Sequence, residues 1–404
     1  MKQSVQAEKS VNHHAVTLEL FTKAYEYFKK SKGQRTTLYL ALEIAKLHES
    51  MGSHELAIQL LNHICNTYRK EKWSDLLKAS LNNLLDAARK SGNWTVVLKT
   101  LFEMVSKPLL PAGEKERSSL AEEMMQLLGQ TQRPNYLQDI LGKLEHDHIS
   151  LDMTLTPSFL GCFVQMKRGQ VFVSDSVEYQ VTFHPTSTTL PKFSFSLARI
   201  HIEFSNPQYN TVISHQETDA ADLVIKLKHK DILHAENVEF ARFGSPPQLD
   251  SASLDLRFKP AVAKVFEGSV KTLVPEDIEI TKVTGVFESP QWTVALDFND
   301  LTRHRDQQRW LSNTEANGFE HLERRDNPAL CRVTRRKPKL QVTLEHATSG
   351  YLQELFPVKL HLKNDENEDV LVNLEVRIKS ADAEIGTNSN RAYLIICRSS
   401  DKCI

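Results

Sequence analysis

The change in hydrophobic period near Asp147 constrains the fold of this chain most strongly. Before it, apolar residues recur every three or four positions, as on one face of a helix. After it, apolar and polar residues alternate at every second position, as in β-strands. The order predicts a helical part followed by a sheet part. With 404 residues, the chain is long enough for two or three domains.

The helical part consists of apolar stripes separated by glycine. Gly33, Gly52 and Gly92 are predicted to end helices, because glycine adopts the left-handed conformation without steric cost. Ser53 and Asn93 follow directly and are good N-cap residues. The stripes comprise Leu20, Phe21, Ala24, Tyr25 and Phe28; Leu38, Leu40, Ala41, Ile44, Ala45 and Leu47; Leu56, Ala57, Leu60, Leu61 and Ile64; Leu76, Leu77, Leu81, Leu84, Leu85 and Ala88; and Val97, Leu101 and Met104.

Two stretches of the helical part resemble each other. "MGSHELAIQLLNHI" starts at Met51, and "SGNWTVVLKTLFEM" starts at Ser91, 40 residues later. Ala24 and Ala57 are only 33 residues apart, so the period looks irregular. We expect residues 13–148 to form an α-solenoid of hairpins like tetratricopeptide repeats. A plain helical bundle stays open as the alternative.

The strand part begins with alternating segments. In "DSVEYQVTFHP", Val177, Tyr179, Val181 and Phe183 are predicted to face one way. Turn signals separate several short candidate strands and no helical stripe intervenes, which predicts an immunoglobulin-like antiparallel β-sandwich over residues 153–299. The further candidates are "MTLTPSFLGCFVQMK", "SLARIHIEFS", "DLVIKLKH", "NVEFARF", "ASLDLRFKP", "EITKVTGVFES" and "WTVALDF".

The C-terminal quarter divides into two stretches. Residues 300–335 are charged and lack a clear period, so they are predicted to be a linker or long loop, partly disordered. Residues 336–404 contain "KPKLQVTLEH", "LFPVKLHLKN" and "VLVNLEVRIK", the predicted start of a second β-sandwich. Three or four strands are too few to complete it, and we therefore expect a fragment or truncated product of a longer protein.

Charge and cysteine content narrow the functional classes. The formal net charge is −1, which argues against a nucleic-acid partner held by bulk charge. No apolar run reaches the roughly 18 residues of a membrane span, and the N-terminal segment lacks the apolar region of a secretory signal. The five cysteines are scattered without a CxxC pair, so neither a disulfide framework nor a zinc site is expected. A cytoplasmic protein is predicted.

The sequence also lacks the common catalytic motifs. It contains no phosphate-binding GxxxxGK[ST] loop, no GxGxxG after a strand, no GxSxG and no HExxH. We expect no catalytic residue, no cofactor, no metal site and no small-molecule substrate. His146 and His148 could ligate a metal if they lay on a strand, but they are placed at a helix end, where residues two apart face away from each other. They are interpreted as structural, as are His229 and His234.

A few aromatic and basic residues have alternative interpretations. Trp73 and Trp94 stand at hairpin starts and are expected to pack between repeats. The basic run from Arg335 to Lys339 is interpreted as a solvated linker end, with a nuclear signal or a contact to an acidic surface as less favoured alternatives. For the separate stretch "LTRHRDQQRW" around Trp310, contact with an anionic membrane is a less favoured alternative. The triplet Asn93-Trp94-Thr95 is expected to start a helix rather than to accept a glycan.

Three stretches resemble a known family. "YRKEKWSDLLKASLNNLL", from Tyr68 to Leu85, resembles part of the foie gras domain. "IHIEFSNPQYNTVI", from Ile200 to Ile213, resembles the strand and turn of the β region that follows it. "RRKPKLQVTLEHATSGYLQELFPVKLHLKNDENEDV", from Arg335 to Val370, resembles the start of a gryzun region. Together they are similar to the family of the eleventh subunit of the transport protein particle (TRAPP) complex.

This resemblance implies a non-catalytic role in vesicle transport. Members of the family are peripheral subunits of a Golgi-associated tethering complex whose small core subunits promote nucleotide exchange on a Rab GTPase. The implied partners are other TRAPP subunits, with an indirect link to the GTPase. The implied processes are endoplasmic-reticulum-to-Golgi transport and autophagy, with peripheral membrane association at the cis-Golgi. Compared with the pattern of that family, the chain is expected to lack the earlier foie gras segment and most later β-domains. A coat- or adaptor-type trafficking protein that binds cargo peptides is the alternative function.

Overall fold

A computed structural model describes most of the chain. The described residues are 12–106, 109, 114–142, 144–155, 159–186, 194–217, 223–226, 235, 237–243, 251–301, 309–312, 319–336, 339–349, 357–365, 370–376, 391–397 and 402–403. They belong to two compact units, residues 1–334 and residues 335–404.

The first unit begins with seven helices among its described residues, and the predicted helical region is confirmed. They are α1 (His13–Lys30), α2 (Gln34–Ser50), α3 (His54–Glu71), α4 (Ser74–Ser91), α5 (Trp94–Met104), α6 (Glu114–Leu128) and α7 (Asn135–Leu141). Helices α2 to α6 begin at residues 34, 54, 74, 94 and 114, so successive starts are 20 residues apart. A pair of helices therefore repeats every 40 residues, and the predicted irregular period is wrong. The spacing from Ala24 to Ala57 does not mark a repeat.

The same regularity appears in the turns between the helices. Lys32, Gly52, Lys72 and Gly92 all have a positive φ, of 59°, 77°, 58° and 75°. Each reverses the chain at the end of one helix in the left-handed conformation. Gly33 has a φ of −76° and instead precedes α2, so the prediction that Gly33 takes the left-handed conformation is wrong. The lysine side chains pay a small steric cost in this conformation.

Most of the predicted stripes are buried. Ala57, Leu61, Val97 and Leu101 are at most 1% exposed, as expected for equivalent positions in α3 and α5. Each of the first five helices packs on the next one along the chain, which the short connections favour. Three stripe residues are exposed instead: Leu20, Leu56 and Leu76.

The β part of the first unit contains seventeen strands among the described residues. They are β1 (Asp147–Asp152), β2 (Leu160–Met166), β3 (Gln170–Phe172), β4 (Ser176–Pro185), β5 (Phe195–Ser196), β6 (Arg199–Phe204), β7 (Thr211–His215), β8 (Leu223–Lys226), β9 (Asn237–Arg242), β10 (Ser251–Leu254), β11 (Arg257–Phe258), β12 (Val262–Lys271), β13 (Asp277–Glu288), β14 (Trp292–Phe298), β15 (Arg309–Leu311), β16 (Phe319–His321) and β17 (Leu330–Thr334).

Two larger sheets organise these strands. One has the order β1-β14-β13-β6-β7-β10. In it, β17 also pairs with β13, and β3 pairs with β17. The other sheet has the order β2-β4-β12-β9-β8. Aromatic rings from the two sheets pack against each other. The ring centroids of Tyr179 in β4 and Phe204 in β6 are 5.4 Å apart, and those of Phe183 in β4 and Phe298 in β14 are 5.6 Å apart. Neither sheet closes on itself.

The predicted antiparallel arrangement needs correction, because the sheets are mixed. Strand β1 pairs in parallel with β14, β10 with β7, β12 with β9, and β17 with β3. Parallel partners come from distant parts of the chain. The alternation of apolar and polar residues within one strand therefore does not reveal which strands pair in parallel.

The sequence patterns also miss β12, the middle strand of the five-stranded sheet. Its alternation is interrupted by Lys264 and Gly268. Lys264 is only 2% exposed and lies 3.7 Å from the buried carboxylate of Glu239. A Cβ atom at Gly268 would lie 2.5 Å from the ring of Tyr179, so close packing explains the glycine.

The helical and β parts of the first unit share one hydrophobic core. The ring of Phe102 in α5 lies 6.0 Å from Phe159 and 6.4 Å from Phe287. The indole Nε1 of Trp292 donates a hydrogen bond to the Leu127 carbonyl of α6 at 2.9 Å. The two parts therefore belong to one compact unit.

Part of the stretch predicted as a linker, residues 300–335, is instead sheet. Trp310 and Leu311 of β15 are 7% and 4% exposed. Leu311 donates its N–H to the Gln180 side chain at 3.2 Å, and its carbonyl accepts from Gln180 at 2.7 Å. Strand β17 pairs with β13 and β3. The linker prediction fails there, because partners distant in sequence hold short strands that have no pattern of their own.

The described residues of the second unit form five short strands. They are β18 (Leu340–His346), β19 (Val358–Asn364), β20 (Val370–Val376), β21 (Arg391–Cys397) and β22 (Lys402–Cys403). They form a sheet of order β18-β19-β22 and a pair β20-β21. The three strands predicted from alternation in residues 336–404 correspond to β18, β19 and β20.

Candidate functional site

An apolar groove in the helical part is the candidate functional site. It lies where α2 meets the connection between α3 and α4, and its volume is about 600 Å³. We call it the Trp73 groove. Its lining residues are Arg35, Leu38, Tyr39, Leu42, Tyr68, Lys72, Trp73, Ser74, Asp75 and Leu76.

The local backbone places Trp73 in this groove. Lys72 adopts the left-handed conformation after α3, and the Trp73 N–H then donates to the Tyr68 carbonyl at 3.0 Å. This turn brings the indole back over the end of α3. Its ring centroid lies 5.8 Å from that of Tyr68, which is 5% exposed. A buried neighbour thus fixes the half-buried indole in position.

A cation covers the indole from another helix. The guanidinium carbon of Arg35, in the first turn of α2, lies 5.4 Å from the centre of the Trp73 ring. Stacking of this kind is favourable because the aromatic face carries partial negative charge.

Large apolar side chains remain exposed beside this stack. Tyr39 of α2 is 59% exposed and Leu76 of α4 is 49% exposed. Both face water although the neighbouring Leu38 and Leu77 are buried. Exposed apolar area next to a concave surface is typical of sites that bind another molecule.

The charges of the groove are predominantly positive. Arg35 and Lys72 are its cations, and Asp75 is the carboxylate among its lining residues. Asp75 lies in the first turn of α4, where a negative charge favours the helix N-terminus. Burial raises the pKa of Tyr68, and the neighbouring Cys65 adds to the shift, so the phenol is neutral at physiological pH.

The sequence analysis singled out Trp73 but not its surroundings. We expected it to pack between repeats, and it does contact Tyr68 and Arg35. The groove itself depends on α2, which is distant in sequence. The aromatic-basic end of α3 in "YRKEKW" was the available signal, because it places Tyr68, Lys72 and Trp73 together.

The histidine pair lies elsewhere than predicted. His146 precedes β1 and His148 lies in it, so they do not occupy a helix end. Their ring centroids are 5.0 Å apart. Both ring nitrogens of His146 have hydrogen-bond partners, the Pro290 carbonyl at 3.1 Å and the Thr293 hydroxyl at 3.0 Å. Within the described residues, no three His, Cys, Asp or Glu side chains are arranged to hold a metal ion.

The remaining residues of interest take structural positions or fall outside the described residues. Asn93 caps α5 by accepting a hydrogen bond from the Val96 N–H at 3.2 Å, which confirms the predicted helix start. Trp310 is buried, with the Lys167 ammonium 5.5 Å from its ring centre. Its burial leaves the indole inaccessible to a membrane. Arg335, Arg336 and Lys339 are exposed. His229, His234, Lys337 and Pro338 lie outside the described residues.

None of the described helices is both long enough and apolar enough to cross a bilayer.

Comparison with known proteins identifies a family for the helical part. No curated protein matches the chain. The model of the family described as Foie gras liver health family 1 matches residues 1–107. The match includes the whole Trp73 groove, and the predicted resemblance to a foie gras domain is confirmed. Residues 1–107 are therefore similar to the foie gras family.

Proposed function

We propose that this protein is a non-catalytic scaffold subunit of a TRAPP-type tethering complex. The observation that carries the proposal is the foie gras family match over residues 1–107. The processes served are endoplasmic-reticulum-to-Golgi transport and autophagy. The protein is related to the eleventh TRAPP subunit, and its second unit to a gryzun region.

The proposed partners are other TRAPP subunits. The link to a Rab GTPase is indirect and passes through the core of the complex. The protein is cytoplasmic and associates peripherally with cis-Golgi and intermediate membranes. It requires no cofactor, metal ion, nucleic acid or small-molecule substrate for this role.

Two features of the molecule support a scaffold role. The 40-residue helical period gives α2 to α6 the character of a solenoid of stacked hairpins, although tetratricopeptide repeats have a shorter period of about 34 residues. Solenoids present extended surfaces to other proteins. The facing sheets that follow are proposed to be an immunoglobulin-like sandwich, an architecture common in interaction proteins.

Affinity purification from cells tests the proposal. The tagged 404-residue chain is purified, and co-purifying proteins are identified by mass spectrometry. Recovery of small TRAPP core subunits is the expected result. Recovery of coat or adaptor subunits instead would contradict the proposal and favour a cargo-binding adaptor.

A matched pair of variants makes the result specific. Leu61 is 1% exposed in α3, whereas Leu56 of the same helix is 49% exposed. Leu61→Asp places a charge in the core and should unfold the hairpins and abolish co-purification. Leu56→Asp carries the same charge at the surface and should preserve co-purification. Equal recovery with Leu61→Asp would show that the foie gras helices do not mediate assembly.

A further inference from the structure

We propose that the Trp73 groove binds a short acidic segment of another protein. One large apolar side chain of that segment enters the groove, and flanking carboxylates pair with Arg35 and Lys72. This inference rests on the proposed role of the protein as a scaffold and specifies the chemistry of one partner.

Two cations, Arg35 and Lys72, line the groove. Among the described residues, no carboxylate forms an ion pair with Arg35 or Lys72. Other cations of the same helical part are paired: Arg69 with Glu103, Arg89 with Glu123 and Lys90 with Glu49. Arg35 and Lys72 therefore remain available to carboxylates of a partner at the apolar groove.

The side chain of Arg35 lies over the indole of Trp73. Stacking on Trp73, with 5.4 Å from the guanidinium carbon to the ring centre, orders the side chain before any partner binds. An ordered guanidinium loses less conformational freedom when it binds a carboxylate. Its planar N–H edge suits a carboxylate bound through two hydrogen bonds.

Large apolar side chains are exposed at the groove. Tyr39 and Leu76 stand 59% and 49% exposed on two helices beside the half-buried Trp73. A volume of about 600 Å³ lies within the range of roughly 300–1,000 Å³ typical of ligand sites. The groove thus offers a site for apolar side chains between positive charges.

The number of charges favours a peptide over a membrane. Recognition of anionic lipids usually requires clusters of about four to eight basic residues, whereas the groove contributes only Arg35 and Lys72. Its apolar lining includes the ordered indole of Trp73. These features suit one apolar side chain with one or two neighbouring carboxylates.

Fluorescence anisotropy of labelled peptides tests this inference with the full 404-residue chain. The acidic probe is EDELFEDE, its uncharged counterpart is QNQLFQNQ, and EDESSEDE lacks the apolar pair. We expect the acidic probe to bind about tenfold more tightly than the uncharged probe. Added salt should weaken the binding of the acidic probe. EDESSEDE should show no saturable binding. Equal binding of the acidic and uncharged probes would overturn the inference.

Charge-reversal variants localise the binding. Arg35→Glu combined with Lys72→Glu should weaken binding of the acidic probe by about tenfold or more. The matched control combines Lys99→Glu with Lys115→Glu, two exposed sites outside the groove. Equal weakening by the control would attribute binding to overall charge and contradict the inference. Far-ultraviolet circular dichroism verifies that both variants are folded.

Two further outcomes separate the hypotheses. Binding to phosphatidylserine vesicles that depends on Arg35 and Lys72, without binding of the acidic probe, would assign the groove to a membrane and overturn the inference. Failure of the acidic probe alongside recovery of TRAPP subunits would reject the groove but preserve the proposed function. Groove-dependent binding of the probe without recovery of those subunits would reject the TRAPP assignment alone.

Discussion

Arg69 of α3 and Glu103 of α5 form a two-pronged ion pair although they are 34 residues apart. The guanidinium Nε and Nη2 of Arg69 donate to the two carboxylate oxygens of Glu103 at 2.5 Å and 2.7 Å. Arg89 and Glu123 repeat the arrangement between α4 and α6, also 34 residues apart. Each pair thus connects a helix to the next but one.

The two ion pairs should differ in energy because they differ in burial. The side chain of Glu103 is 6% exposed and that of Glu123 is 22% exposed. Glu103→Gln leaves the Arg69 charge poorly compensated in the interior and should lower the free energy of unfolding by about 2–3 kcal/mol. Glu123→Gln should lower it by about 1 kcal/mol or less. Denaturant unfolding measures both, and equal losses would contradict the role of burial.

The left-handed turn residues predict opposite effects of two substitutions. Gly52→Ala forces a side chain into a positive φ and should destabilise the protein by about 1 kcal/mol. Because a Cβ atom at Gly52 would meet nothing within 4 Å, this cost comes from the backbone alone. Lys32→Gly relieves the same strain and should leave stability unchanged or slightly higher. Thermal unfolding of both variants tests this, and a loss with Lys32→Gly would contradict it.

Gln180 should be important for stability although it is polar. Its fully buried side chain bonds the N–H and carbonyl of Leu311 and donates to Glu267 at 2.8 Å. Gln180→Leu would leave these backbone groups unpaired in the interior and should cost about 2–3 kcal/mol. Gln59→Leu, at an exposed position of α3, is the control with the same change in composition. Unchanged denaturation of the Gln180 variant would show that β15 finds other partners.

The free energy of unfolding should depend on pH through the carboxyl group of Asp297. Burial alone would raise the pKa of Asp297, but hydrogen bonds from Ser150, Lys282 and Thr284 at 2.7–2.9 Å lower it overall. The ionised form therefore favours folding. Its contribution is complete above the unfolded pKa of about 3.9 and is lost as the pH falls through the lower folded value.

Asp297→Asn should accordingly cost about 1–2 kcal/mol at neutral pH. The difference from the unmodified protein should shrink in strong acid, where the aspartate is also neutral. Denaturant unfolding at several pH values measures this convergence, with the exposed Asp139→Asn as control. A difference that stays constant with pH would rule out the ionised carboxylate as the cause.

Local patterns were sufficient to predict several features of the site and the fold. Tyr68, Lys72 and Trp73 are neighbours in sequence, and "YRKEKW" places them at one helix end. Arg35 joins them only through the packing of α2, and the sequence analysis did not identify it. Likewise, alternation predicted β4 but missed β12, where Lys264 and Gly268 interrupt the pattern for reasons of packing.

The sequence by itself determined where helices start and stop and which side chains are buried, as at Ala57, Leu61, Val97 and Leu101. Those properties depend on residues a few positions apart, whose spacing matches the helical period. Only the tertiary structure decided the parallel pairing of β1 with β14, the bond of Gln180 to β15 and the stacking of Arg35 on Trp73. These contacts join residues distant in the chain, and their energy appears only once the intervening elements have packed.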